Sequence, residues 1–224
     1  MTKVSDMEIS EAELLSSTVI SRRVLLGGVA GFGAVMLAAC TNEKVPTTTA
    51  TTAVPSAEGD LAIAALAASL ENLAVSTYQR GLDAGRAGKL GKVPPAVVTF
   101  VETSQRQHVD HAAAWNVVLK GAGRPGITGV DLTIKEGVVD PAFAKVNDVP
   151  SLAKLVLELE NSAAATYQNA IELLEGKQVI KTAASIQPVE MQHAAILNFI
   201  LGSYPVPDAI SRVDLARSPQ DKIG

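Results

Sequence analysis

Leu70-Glu71-Asn72-Leu73-Ala74-Val75-Ser76-Thr77-Tyr78-Gln79 recurs as Leu159-Glu160-Asn161-Ser162-Ala163-Ala164-Ala165-Thr166-Tyr167-Gln168. Leu, Glu, Asn, Ala, Thr, Tyr and Gln coincide in register. A second pair of segments repeats in the same order: His111-Ala112-Ala113 and Asn116 match His193-Ala194-Ala195 and Asn198, and Gln105 matches Gln187. Chance similarity between Ala-rich helices preserves Ala and Leu. It does not preserve Glu, Asn, Tyr, Gln and His together. The folded part of the chain therefore reads as an internal duplication.

Working outward from these repeats, helical periodicity begins near Asp60. The first helix is expected over 60–87, with Gly85 and Gly88 at its end. Pro94-Pro95 open a second, over 95–120, which Gly121 and Gly123 terminate. A connection of nearly thirty residues, rich in Gly and Pro, follows. The third helix starts after Pro150 with Ser151 as its expected N-cap and runs to Glu175, where Gly176 stops it. The fourth spans 177–201, ended by Gly202, Pro205 and Pro207. Residues 203–224 read as a loosely structured tail. So long a link is uncommon inside a compact domain, unless it crosses the length of a bundle between two hairpins.

Composition agrees with packed helices. The 224 residues are 47 % hydrophobic and only 4 % aromatic, so Ala, Leu and Val carry the apolar content. A net charge of −4 gives nucleic-acid binding no electrostatic support. The single Cys excludes an internal disulfide framework and a cysteine-rich metal site.

Residues 1–39 read as an export signal and not as fold. Arg22 and Arg23 end a polar start and precede an apolar stretch from Val24 to Ala39, diluted by four glycines. About 16 residues is short of the ~20 needed to span a bilayer as a helix. The paired arginines resemble a twin-arginine signal. Leu25 stands where that signal usually has Phe, so the general secretory route stays open. Leu37-Ala38-Ala39-Cys40 resembles a bacterial lipobox, which implies acylation of Cys40 after cleavage. Acyl chains contribute roughly 0.8 kcal/mol per buried methylene, so the chain is expected to be held at the outer face of the cell membrane. Residues 40–59, a Thr/Ala/Pro-rich run, read as a disordered tether. A tethered domain suits a monomer or dimer better than a closed storage cage.

Over residues 60–202 the pattern resembles the ferritin-like superfamily, all-α four-helix bundles made of two hairpins with a long crossover. That resemblance implies one Glu on each of the first and third helices, matched by Glu71 and Glu160. It implies a Glu-x-x-His on each of the second and fourth, matched in full by Glu190-Met191-Gln192-His193. The second helix departs from it: His108-Val109-Asp110-His111 puts His108 where the family has Glu. Residues i and i+3 share a helix face, so each pair can point inward. Glu102 lies nine residues before His111, about 900° of rotation, on the opposite face. Glu158, two residues from Glu160, fails likewise.

The implied ligand set is Glu71, His108, His111, Glu160, Glu190 and His193, and the chain's three His all fall within it. Carboxylates with imidazoles suit iron or manganese, and zinc can compete. Three carboxylates supply −3 of charge where the family's usual four supply −4. The family often carries a Tyr seven residues after the Glu, near its metals, and Tyr78 and Tyr167 hold that position; a core aromatic with a satisfied hydroxyl is the alternative. Gln105 and Gln187 are candidate partners of the His ligands. Pro188 inside the fourth helix must free a carbonyl. A metal-binding lipoprotein of the envelope, with oxidase or peroxide chemistry, is thus one expectation. A metal-free structural or interaction module, whose buried groups bond one another, is the other.

Overall fold

The computed structural model describes residues 57–218. The proposed signal, with Arg22 and Arg23, the lipidation site Cys40 and most of the tether lie outside the described residues. Four long helices carry the fold: α1 Ala57–Arg86, α2 Pro95–Gly121, α3 Val149–Leu173 and α4 Lys177–Ile200. Among the described residues there is no strand, and the chain is an all-α bundle of two hairpins. α1 packs along α2 and α3 along α4, while α1 meets α3 and α2 meets α4 at fewer points. The interior between the hairpins is where the inward polar side chains gather.

The helix boundaries follow local chemistry. Pro94 sits at the N-cap of α2 with extended backbone, and Pro95 takes the first turn, where its missing N–H costs nothing. At α3 the N-cap is Asp148, not Ser151. The Asp148 carboxylate accepts from the Ser151 N–H at 2.8 Å, and the Ser151 hydroxyl accepts from the Asp148 N–H at 3.1 Å. This reciprocal box moves the N-cap three residues earlier than expected and draws Pro150 into the first turn. α4 continues through Pro188. Pro188 and Ala184, whose carbonyl it frees, are both exposed, so water can satisfy that carbonyl.

Buried Asp60 ties the hairpins together at one end, accepting from the N–H groups of Glu175 and Gly176 at 3.0 and 2.9 Å. The start of α1 thus meets the end of α3, so these helices run antiparallel. The 122–148 crossover then has to travel the bundle's length, and its anchors mark the route. Asn116 and Asn72 hold Ile127, the Asp131 N–H bonds the Ser69 carbonyl, and Asp140 pairs with Arg80 at 2.6 Å. Midway, a π-helical turn at Lys135–Val139 drops Val139 and Ile134 onto Leu73. The duplicated Asn positions are thus loop clamps: Asn116 holds the segment after α2, and Asn198 holds Pro205 after α4. Residues 203–218 are irregular but pinned. Leu215 accepts from Ser162, and the Arg217 N–H donates to Thr166.

Candidate metal centre

Each of the four helices places at least one charged or titratable group in the buried interior. Glu71 on α1, His108 and His111 on α2, Glu160 on α3, and Glu190 and His193 on α4 are all buried, with Glu190 fully inaccessible. All six residues proposed from the sequence converge. They form two overlapping groups, Glu71–His108–His111–Glu190 and His108–Glu160–Glu190–His193, within each of which donor atoms lie inside 4.8 Å of one another. His108 and Glu190 belong to both.

These two shared residues occupy equivalent positions in the duplicated hairpins, one imidazole and one carboxylate. His108 reaches both flanks, with Nδ1 2.7 Å from Glu71 Oε2 and Nε2 3.2 Å from Glu160 Oε1. Glu190 does the same, with Oε1 2.8 Å from His111 Nδ1 and Oε2 3.5 Å from His193 Nδ1. His193 Nδ1 also lies 3.2 Å from Glu160 Oε2. Glu102 and Glu158 take no part; Glu158 is exposed.

The tyrosines cross the bundle. Tyr78 on α1 donates to Glu160 Oε1 at 2.7 Å, and Tyr167 on α3 donates to Glu71. Trp115 donates its indole N–H to the Tyr167 hydroxyl at 2.8 Å. Burial and the nearby carboxylates push both phenols well above their ordinary value, so both stay donors.

The glutamines differ from expectation. Gln105 bonds the Val75 carbonyl and Gln79 across the α1–α2 hairpin, and Gln187 reaches Met191 and Ser211. Neither touches the cluster. The residue that does is Gln107, whose Oε1 lies 2.8 Å from His193 Nε2. Its counterpart in the second half is Val189, so comparing the two halves passes over it. Its spacing of four from His111 was the available signal.

Electrostatics reflect mutual pairing. Burial would raise the Glu71 carboxyl, but hydrogen bonds and charge from His108 and His111 hold it down to about 2. Burial likewise opposes the imidazolium forms of His111 and His193, yet the carboxylates carry both up to about 9. Glu190 goes the other way: burial and the Glu71 charge raise it, outweighing its imidazole neighbours. Its two oxygens and His111 Nδ1 are buried without an aligned hydrogen bond, although Glu190 Oε1 and His111 Nδ1 approach within 2.8 Å. A buried carboxylate left in that state is costly. A cation shared by these atoms removes the cost, and the carboxylate–imidazole donor set suits a divalent metal. A cavity of about 60 Å³ between α1 and α3 borders Glu71, His108 and Glu160, more than the ~10–15 Å³ that one water needs.

The comparisons agree with this geometry. A family model described as a ferritin-like domain matches residues 59–203. Searches of curated proteins and of solved structures return no match. The helical hairpins, the duplicated Glu and His positions and the matched span place the chain in one group: it belongs to the ferritin-like domain family.

Proposed function

We propose that this chain is an exported, membrane-anchored ferritin-like protein whose bundle core holds one or two iron or manganese ions. One observation carries the reading: six buried carboxylate and imidazole side chains from four helices fall into two overlapping donor groups with two shared members. Glu71 and His111 would serve one ion, Glu160 and His193 the other, with Glu190 and His108 between them. When bound, such a pair supplies redox capacity toward dioxygen or peroxide. The residues do the rest. Tyr78 and Tyr167 fix Glu160 and Glu71 by donating to them. The small cavity beside Glu71 and Glu160 gives a small oxidant a place to lodge. Arg22 with Arg23 and Cys40 support export and lipid anchoring.

A second reading has its own support. The carboxylates and imidazoles already pair at 2.7–3.2 Å, so protonated histidines can balance the charge without a metal. The protein would then be a structural or interaction module of the envelope. Elemental analysis of protein purified from its own host separates the two: iron or manganese near stoichiometric amounts supports the first, and traces only support the second.

A further inference from the structure

The duplication is broken at one end of the bundle, and the break leaves a hole. Around Tyr167 only small gaps remain, of about 60 and 20 Å³. Trp115 stacks on the Tyr167 ring with centroids 6.0 Å apart and planes 8° from parallel, and Ala170 and Leu174 close the space. In the register that aligns the halves, Tyr78 answers Tyr167, Leu197 answers Trp115, Gly81 answers Ala170 and Gly85 answers Leu174. All three replacements are smaller; at Gly81 Leu152 packs into the space, its Cδ2 3.0 Å from where a Cβ would stand, whereas at Gly85 nothing comes closer than 3.5 Å. A cavity of about 300 Å³ lies there, between the end of α1, the start of α2, the start of α3 and the end of α4, walled mostly by aliphatic side chains. An apolar recess of this size leaves its lining short of packing contacts, and the other half shows which side chains would close it.

The wall has a direction. Its inner part includes Tyr78 and Phe100, whose rings meet at 6.4 Å, while exposed Arg86 stands at its rim. Among the described residues of the wall Arg86 is the one cation, paired with Asp83 only at 3.3 Å. Tyr78 and Arg86 lie eight residues apart on α1, about 12 Å at 1.5 Å per residue. An apolar cavity of about 150 Å³ takes benzene, so this one accommodates about ten to twelve carbon atoms. Length, volume and the single rim charge fit the same ligand class.

We propose that the cavity beside Gly81, Gly85 and Leu197 binds a medium-chain aliphatic carboxylate, its chain inside against Tyr78 and Phe100 and its head group at Arg86. The inference does not rest on the metal reading. It does place the ligand next to that centre, since Tyr78 bonds Glu160 and Phe100 meets the His193 ring edge-on at 6.2 Å.

Calorimetric titration of the purified full-length chain with sodium decanoate tests it, with acetate and decanol as comparisons and metal content measured on the same samples. The expected result is saturable one-to-one binding of decanoate and none of acetate. Gly85→Leu and Leu197→Trp, which restore the side chains of the filled half, should each weaken decanoate at least tenfold with metal content unchanged. A Cβ at Gly85 meets nothing closer than 3.5 Å, and if either variant unfolds the other still decides. Arg86→Gln should weaken decanoate several-fold and leave decanol unchanged. Absence of saturable binding, unchanged affinity in a folded cavity-filling variant, or a dimer that dissociates on filling the cavity would each overturn the proposal.

Discussion

Tyr78 donates its hydroxyl hydrogen to Glu160, a residue of the opposite hairpin, at 2.7 Å. The equivalent Tyr167 returns the gesture to Glu71. Each half of the duplication therefore orients the carboxylate of the other half. Tyr78→Phe should leave Glu160 with its imidazole partners alone. Hydrogen bonds to charged groups contribute about 1.5–3 kcal/mol, so thermal unfolding should fall by several degrees. Metal binding should weaken in the group containing Glu160 and His193 and be spared in the group containing Glu71 and His111, as read by spectroscopic titration.

His108 stands where the family pattern has a carboxylate, and it lies between Glu71 and Glu160. His108→Glu should restore a fourth negative charge. In metal-free protein that charge is buried without a cation and costs several kcal/mol, so the melting temperature should drop. With Fe(II) or Mn(II) present the order should reverse, with two ions bound more tightly than in the wild type. A variant that loses stability with and without metal would contradict the bridging role given to position 108.

The metal-free bundle should show a definite pH profile. His111 and His193 titrate near 9 in the folded chain against an ordinary 6.5. Their contribution to stability is complete below about 6.5 and is lost as pH rises through about 9. Glu71, held at about 2 against an ordinary 4.5, contributes fully above 4.5 and loses that contribution as pH falls toward 2. Glu190, held above its ordinary 4.5 by burial and the Glu71 charge, works against folding once pH passes 4.5. Urea midpoints of the metal-free protein should therefore be highest near 4.5 and decline on the alkaline side. Metal must displace the same imidazole protons, so Mn(II) affinity should rise over the interval where metal-free stability falls.

Asn116 gives a control outside the centre. Its side chain donates to the Ile127 carbonyl at 3.0 Å and accepts from the Ile127 N–H at 2.6 Å. Asn116→Ala should cost about 1–3 kcal/mol and speed amide exchange at Ile127, without changing metal stoichiometry.

Cys40 tests the anchor. Cys40→Ser should release the protein from the membrane fraction and abolish lipid labelling. Arg22 and Arg23 together to Lys should block export by the twin-arginine route; normal export would indicate the general secretory route instead.

The six ligand candidates were legible because Glu and His are costly on an apolar helix face, so their recurrence at Glu71, Glu160, His111 and His193 stands out against Ala and Leu. Helix ends were legible where Gly and Pro restrict the backbone. The start of α3 was not, because Asp148 and Ser151 are both good caps and only the reciprocal bonding decides between them. The crossing of the tyrosines depends on how the hairpins pack, which no single-helix spacing encodes. Gln107 has no counterpart in the second half to mark it, and the paired Gln105 and Gln187 serve other contacts. The pinned tail depends on hydrogen bonds from Ser162 and Thr166 that join distant parts of the chain.

Anaerobic equilibrium titration of the metal-free protein with Fe(II), and separately with Mn(II), bears most directly on the centre formed by Glu71, His108, His111, Glu160, Glu190 and His193. Between one and two equivalents should bind, raising the melting temperature because the ions bind only the folded state, and Glu160→Ala or His193→Ala should lower the stoichiometry. A folded wild-type bundle that binds neither ion and shows no thermal shift with either would contradict a metal centre at these residues.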